Sequence, residues 1–527
     1  MISAYSGSTI RAIEEPVVSA PDYDGYLMQR AALALSSSLE NYLGAKNKVL
    51  LLAGKGNNGA DALFAGASLA QGGTAVDALL TEGSAVEHAL DAFLEAGGEV
   101  LAGLPESLED YAVVVDAILG TGSRGGLRNT SQQVVQSLRE IQLRGELPAV
   151  VACDLPSGID ADSGEVFEPV LRAQRTVTFI AAKTPFLTSA ETLCGEIVVA
   201  DLGISDLLRE TTADAVRYSD AELVGCLPQP GAFDHKYTRG VLGMICGSEE
   251  YPGAALMSTQ AAVHTGPGMV RFVGTDRLNY QIQLNTPEAV CSQQKAEELH
   301  VQAWAAGSGA NPEYRQQDLL HAIQAKEAAV LDAAAVEVAG RWVAMEAILG
   351  SHKILTPHAG ELEGFLQWIQ VLDAQRWEEK MGEEKAPSRA DIEAHPVFWA
   401  RRAAVLSGAT VLLKGATTLI ASPSGKVISV APGTPWLATA GSGDTLCGIL
   451  GALLAQYEAS LEQENSTMPA SGEEKPEPEN YARIAACAVR IHHLAADVVH
   501  QGGLQGPVPP SQVVRHIPQA VATFLAS

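Results

Sequence analysis

Short apolar runs, each closed by a turn and followed by a helical pattern, recur along this chain. Lys48–Ala53 (KVLLLA) reads as a buried strand, then a Gly/Asn-rich turn, then a helix from about Ala60 to Gln71. Ala75–Leu80, Tyr111–Asp116, Ala149–Cys153, Thr176–Ile180 and Glu196–Asp201 read as further strands, with a helical pattern over Ser131–Arg144. Short β-branched runs alternating with helices predict an α/β fold with a mostly parallel sheet covered on both faces. Ligands in such folds sit beyond the carboxyl ends of the strands.

Pro228-Gln229-Pro230-Gly231 marks a linker near residues 220–235, after which the pattern restarts. Val241–Ile245, Met269–Val273, Ala328–Asp332, Thr410–Lys414, Thr417–Ala421 and Val427–Val430 read as strands. Gly253–His264, a stretch from Ser442 and Glu479–Val499 read as helices. At 527 residues the chain is roughly three times a usual domain, so two α/β domains are expected, 1–222 and 223–527. Asp373–His395 is a charged, helical addition, and Gln463–Asn480, rich in Glu and Pro, is expected to be disordered.

A net charge of −27 speaks against a nucleic-acid or anionic-membrane partner, since no basic surface is implied. Small phosphorylated ligands stay open, because loop N–H groups and a few lysines suffice for them. The seven cysteines are scattered without a CxxC pair, which fits free thiols in a reducing compartment. With neither a secretory pattern at the start nor an apolar run of about 18 residues, a soluble cytoplasmic protein is expected.

Three loops of the first half follow strand ends. They are Gly54-Lys55-Gly56-Asn57-Asn58-Gly59-Ala60-Asp61, Asp116-Ala117-Ile118-Leu119-Gly120-Thr121-Gly122 and Asp154-Leu155-Pro156-Ser157-Gly158-Ile159-Asp160. If these strands are neighbours, Asn58, Asp116 and Ser157 offer hard oxygen ligands. One carboxylate among neutral oxygens favours a monovalent cation over Mg²⁺. Asp154 is then free to act on a substrate.

In the second half, Thr439-Ala440-Gly441-Ser442-Gly443-Asp444 places one carboxylate at the start of an apolar helix. Helix-start N–H groups favour an anion, and a carboxylate beside them suits taking the proton from a hydroxyl that attacks a phosphoryl group. Lys414-Gly415-Ala416-Thr417-Thr418 reads as a hairpin turn offering a point charge, N–H groups and hydroxyls to phosphate. Thr356-Pro357-His358-Ala359-Gly360-Glu361 starts a helix, where His358 is either a cap or a substrate contact.

GKGNNGAD, DAILGTG and DLPSGID resemble, over about residues 1–220, the N-terminal domain of the NAD(P)H-hydrate repair enzymes. HKYTRG, the glycines near 247 and 307–309, LTPHAGE, LKGATT and ATAGSGD resemble, in order, their ribokinase-like dehydratase domain over about residues 225–527. The resemblance implies a Rossmann-like three-layer epimerase domain followed by a ribokinase-like α/β domain. It implies a potassium ion at Asn58, Asp116 and Ser157. The hydrated nucleotide would lie along Asn57, Asn58, Gly59, Ala60 and Asp61, along Gly120, Thr121, Gly122, Ser123, Arg124, Gly125 and Gly126, and on Asp154. In the second domain it implies hydrate contacts at Ala255, Gly309, His358 and Asp444. ADP, with Mg²⁺ on its phosphates, would meet Lys414, Gly415, Ala416, Thr417, Thr418 and Gly443. Asp444 and Asp154 are the expected catalytic residues, and a homo-oligomer acting on small molecules is expected.

The family's GGDG reads Gly59-Ala60-Asp61-Ala62 here, its Met-Glu-x-Ala-Gly reads Met28-Gln29-Arg30-Ala31-Ala32, its Asp-Ala-Asp reads Asp332-Ala333-Ala334, and Thr434-Pro435-Trp436 stands for Asn-Pro-Gly. The alternative reading is a small-alcohol kinase with a non-catalytic nucleotide-binding first half. A nicotinamide-dependent dehydrogenase lacks its GxGxxG turn and ribose-binding acid.

Overall fold

A computed structural model describes residues 1–122, 124–345, 347–382, 384–467, 477–500 and 505–527. Ser123 and residues 468–476, part of the stretch expected to be disordered, lie outside the described residues. The chain divides into two compact units, Ile2–Ala215 and Val216–Ser527 with Met1.

In the first unit the sheet runs, in spatial order, Glu99–Leu101, Ala75–Leu80, Lys48–Ala53, Val113–Ala117, Ala149–Cys153, Arg175–Phe179 and Glu196–Ala200, every pair parallel. The central strand Val113–Ala117 is buried at every position, as the unbroken VVV run requires of a strand covered on both faces. One apolar layer combines Leu51 and Val115 with Leu35 and Leu63 from helices Tyr26–Glu40 and Asn57–Gln71. The other face packs Leu50, Val114 and Val150 against Val135 and Leu138 of helix Asn129–Leu143.

The second unit orders its strands Val290–Ser292, Met269–Val273, Val241–Ile245, Ala303–Ala306, Ala328–Leu331, Lys353–Leu355, Thr410–Leu413, Thr418–Ala421 and Val427–Val430. They pair in parallel as far as Thr410–Leu413; the last three form antiparallel pairs. Ala303–Ala306 (AWAA) has no β-branched residue and gives no strand signal, yet it lies between two long-range partners. Gly243 makes it possible: a Cβ there would stand 2.4 Å from the Trp304 ring.

Helix Ser442–Thr467 packs on helix Pro252–Thr265 through Gly448, where a Cβ would lie 2.1 Å from the Ser258 carbonyl oxygen. That close approach fixes the first turn, which carries Asp444. The helix also continues through Gln463–Thr467, and Pro478–Val499 takes up Pro478–Asn480, so both ends of the stretch expected to be disordered are helical. Leu461, Glu462, Gln463 and Glu464 are good helix formers, and an established helix extends at little cost. The charged addition forms helices Ala374–Met381 and Arg389–Ala394. Among the described residues no helix is long and apolar enough to cross a membrane.

Candidate active sites

In the first unit, strands Lys48–Ala53, Val113–Ala117 and Ala149–Cys153 are neighbours, so their three loops meet. A Cβ on Gly59 would lie 2.0 Å from the Gly54 carbonyl oxygen, so only glycine lets the first turn of helix Asn57–Gln71 fold this close to the strand end. Asn58, Asp116 and Ser157 then form one hydrogen-bonded chain. Ser157 donates from N to Asp116 Oδ2 (2.8 Å) and from Oγ to Asp116 Oδ1 (2.5 Å). Leu119 N donates to Ser157 Oγ (2.9 Å), and Asn58 Nδ2 donates to the Leu119 carbonyl (3.0 Å). Burial pushes the Asp116 carboxyl up, and the donors on Ser157 and Ile118 pull it back. No cationic side chain pairs with Asp116 among the described residues, which leaves a buried carboxylate short of positive charge.

Asp154 has its own cation. Lys183 Nζ donates to Asp154 Oδ1 at 2.6 Å, and also to Thr178 Oγ1 and the Phe179 carbonyl, both at 2.8 Å. Thr121 donates to Asp154 Oδ2 from its N (2.8 Å) and from its hydroxyl. Burial works to raise the Asp154 carboxyl, but the Lys183 ammonium and the Thr121 donors outweigh it and hold the group below its ordinary value. The residue sits at φ +67°, a left-handed backbone that Asp tolerates better than most residues and that concentrates at functional sites.

Asn57, Asn58, Asp61, Gly120, Thr121, Gly122 and Asp154 line a cleft of about 750 Å³. Gly59, Ala60, Arg124, Gly125 and Gly126 do not line it. Ala60 and Ala62 are wholly buried in the apolar layer, so the two methyl groups that replace glycines face the core and leave the cleft unobstructed. Asp116 and Ser157 are buried and connect to the cleft through Leu119 and Asn58. Lys183, Glu14 and Arg11 also line it, and sequence motifs miss all three. Lys183 directly follows the apolar run 176–182, where a lone lysine signals a buried partner. Asp61 and Glu14 are pushed up, by burial first and then by Asp154.

The second site gathers at the carboxyl ends of five parallel strands. Gly247 follows Val241–Ile245, Ser308 follows Ala303–Ala306, Asp332 follows Ala328–Leu331, Thr356 follows Lys353–Leu355, and Lys414 follows Thr410–Leu413. Ser308 Oγ donates to Asp444 Oδ1, and Gly247 N donates to the Ser308 carbonyl at 2.7 Å. Burial raises the Asp444 carboxyl and Asp332 adds to it, against the Ser308 hydrogen bond and the Lys414 charge. A carboxyl tuned upward in this way suits a general base.

Lys414 Nζ donates to Asp332 Oδ1 (2.9 Å) and lies 3.6 Å from Glu361 Oε2. Burial opposes its charge, but these two carboxylates win and hold it protonated. Thr356 Oγ1 also donates to Asp332 Oδ1 at 2.7 Å. A Cβ on Gly443 would stand 3.6 Å from Lys414 Nζ, which puts the lysine beside the Asp444 loop. Thr417 and Thr418 are buried while Gly415 and Ala416 are exposed in the hairpin turn. His358 caps helix Ala359–Leu372: its Nδ1 accepts from Glu361 N (3.1 Å) while its own N donates to Glu361 Oε2 (2.8 Å). The accepting Nδ1 leaves Nε2 to carry the proton of a neutral ring, with the ring edge exposed. Ala255 is buried behind Gly247, and Gly309 lies against Ala254 and Tyr251. Asp332 and Ser308 are the residues whose roles the motifs leave unread.

Each unit thus places a hydrogen-bonded carboxylate, a lysine and glycine-rich loops beyond the ends of parallel strands, which defines a two-site α/β enzyme. Residues 242–519 match the family described as NAD(P)H-hydrate dehydratase, and residues 25–185 match that of the YjeF-related protein N-terminus. The chain belongs to the bifunctional NAD(P)H-hydrate repair enzymes. It is 34% identical over 459 residues to the bifunctional NAD(P)H-hydrate repair enzyme Nnr of Mycobacterium tuberculosis, covering 86% of this chain and 89% of that one. To the Nnr of Mycobacterium leprae it is 32% identical over 532 residues, covering 99% of each. An ADP/ATP-dependent NAD(P)H-hydrate dehydratase from Bacillus subtilis, co-crystallized with ATP/Mg²⁺, aligns with 59% of this chain and 99% of its own at 22% identity and a TM-score of 0.45.

Proposed function

We propose that this enzyme repairs hydrated NADH and NADPH, with residues 1–222 interconverting the R and S hydrates and residues 223–527 dehydrating the S form at the expense of ADP. The observation that carries the second activity is the placement of Asp444, tuned upward and hydrogen-bonded to Ser308, beside Lys414. Asp444 takes the proton of the C6 hydroxyl, and that oxygen attacks the β-phosphorus of ADP. The P–O bond to AMP breaks, and AMP leaves. The ring nitrogen's lone pair then expels phosphate from C6, and loss of a C5 proton restores the dihydropyridine. Lys414, oriented by Asp332, and the N–H groups of Gly441–Gly443 offset the charge on the moving phosphoryl group. A Mg²⁺ ion on the nucleotide phosphates would supply further neutralisation. Gly309 and His358 position the hydrate, Ala255, wholly buried, only backs the Gly247 turn, and Lys414–Thr418 with Gly443 hold the nucleotide.

In the first unit Asp154 is the acid–base residue, and Asn57, Asn58, Asp61, Gly120, Thr121 and Gly122, which line the cleft, hold the nucleotide. The Asp116 chain suits a potassium ion, because a fully buried carboxylate with only neutral donors around it lacks a counter-charge. Asn58, Asp116 and Ser157 would hold the ion, which would brace the three loops. Free thiols throughout agree with action in the cytoplasm.

Purified protein incubated with S-hydrated NADH and ADP tests the reading: NADH, AMP and phosphate should appear in equal amounts. A stable phosphorylated product in their place would make the protein a small-alcohol-type kinase. Replacing potassium with lithium should slow epimerisation and lower the unfolding midpoint of the first unit, leaving dehydration unchanged.

A further inference from the structure

Among the described residues, five carboxylates, Glu14, Glu15, Asp61, Glu82 and Asp154, line the cleft of the first unit against three cations. A pyridine dinucleotide brings further negative charge on its diphosphate, so the few cations decide where it lies. Two are committed. Lys183 is locked on Asp154 at 2.6 Å, and Lys55 pairs with Glu82 at 2.7 Å. The third is Arg11, half-buried on helix Gly7–Val18, whose cleft-facing positions are Ile10, Arg11, Glu14, Glu15 and Val18. Glu15 stands four residues on, the spacing of a helical ion pair, yet among the described residues Arg11 has no ion-pair or hydrogen-bond partner. A guanidinium that faces a cleft and is held by nothing else has its five donors available to an anion, and its fork matches phosphate oxygens.

We infer that Arg11 is the anchor for the diphosphate of the hydrated nucleotide in the epimerase cleft, a role that rests on the epimerase reading of this site. Helix Gly7–Val18 is then a binding wall, and its guanidinium fixes which way round the dinucleotide enters. Asp154 and Lys183, which line the same cleft, meet the hydrated ring. Arg11 touches only the substrate's phosphates, so it acts on binding and leaves the chemical step alone.

Initial rates of R-hydrate epimerisation by the full chain test this in wild type, Arg11→Ala and Arg11→Lys, with NADH hydrate and NADPH hydrate as separate substrates. Arg11→Ala should raise KM by about 10- to 100-fold for both hydrates, the range for a lost charge-assisted hydrogen bond, with kcat within about twofold. Arg11→Lys should recover part of the loss, and salt should raise the wild-type KM more steeply than that of Arg11→Ala. An epimerase kcat that holds excludes a folding defect of the first unit, and dehydration of the S hydrate, carried by the second unit, should be unchanged. An unchanged KM overturns the anchor role, and a rise confined to NADPH hydrate overturns it in favour of the 2′-phosphate. A wild-type protein without epimerase activity would instead sink the reading on which the inference rests.

Discussion

Lys183 Nζ and Asp154 Oδ1 lie 2.6 Å apart, with the two side chains 1% and 8% exposed. A buried pair of this kind is weak evidence of net stabilisation, but either partner alone is costly. Lys183→Met should therefore destabilise the first unit by about 3–5 kcal/mol, read by urea unfolding, and the double variant Lys183→Met, Asp154→Leu should recover most of it. The Asp154 carboxyl lies below its ordinary value in the folded unit, so its contribution is present above that value and is lost as pH falls through the lower folded one.

Asp61 has the opposite sign. Its folded carboxyl is raised, so ionising it costs stability as pH rises through the folded value, and the cost is absent at acid pH. Asp61→Asn should raise the unfolding midpoint of the first unit at pH about 8 and leave it unchanged at about 4. Equal midpoints at both pH values would show that the carboxyl ionises freely.

The order of α/β elements and the sharing of one site by Asn58, Asp116 and Ser157 were legible in the sequence, because buried parallel strands write unbroken apolar runs and their loops carry the glycines. Strand Ala303–Ala306 was not, since its place is set by Gly243 yielding to Trp304 and by partners on both sides. Lys183, Arg11, Ser308 and Asp332 escaped for a related reason. Each acquires its role from a partner or a cleft far along the chain, and no local spacing encodes that.

Ser308→Ala removes the one hydrogen bond that holds the Asp444 carboxyl down. The carboxyl should rise further, so the acid limb of the dehydratase kcat/KM profile should move to higher pH. The neutral plateau should fall by no more than about tenfold. An acid limb that stays in place would remove Asp444 from the titration.

Asp332→Ala deprives the Lys414 ammonium of its 2.9 Å partner. The KM for ADP should rise by about tenfold, the worth of an oriented charge-assisted contact, with the KM for the hydrate little changed. A rise in the hydrate KM alone would put Lys414 on the wrong ligand.

The most direct test of two sites on one chain follows dihydronicotinamide absorbance in a mixture of R and S hydrates with ADP, over a time too short for spontaneous epimerisation. Wild type should convert the whole mixture, and Asp154→Ala should stop once the S fraction is spent. Asp444→Ala should recover no absorbance while binding ADP normally. Full conversion by Asp154→Ala, or appreciable turnover by Asp444→Ala, would contradict the account.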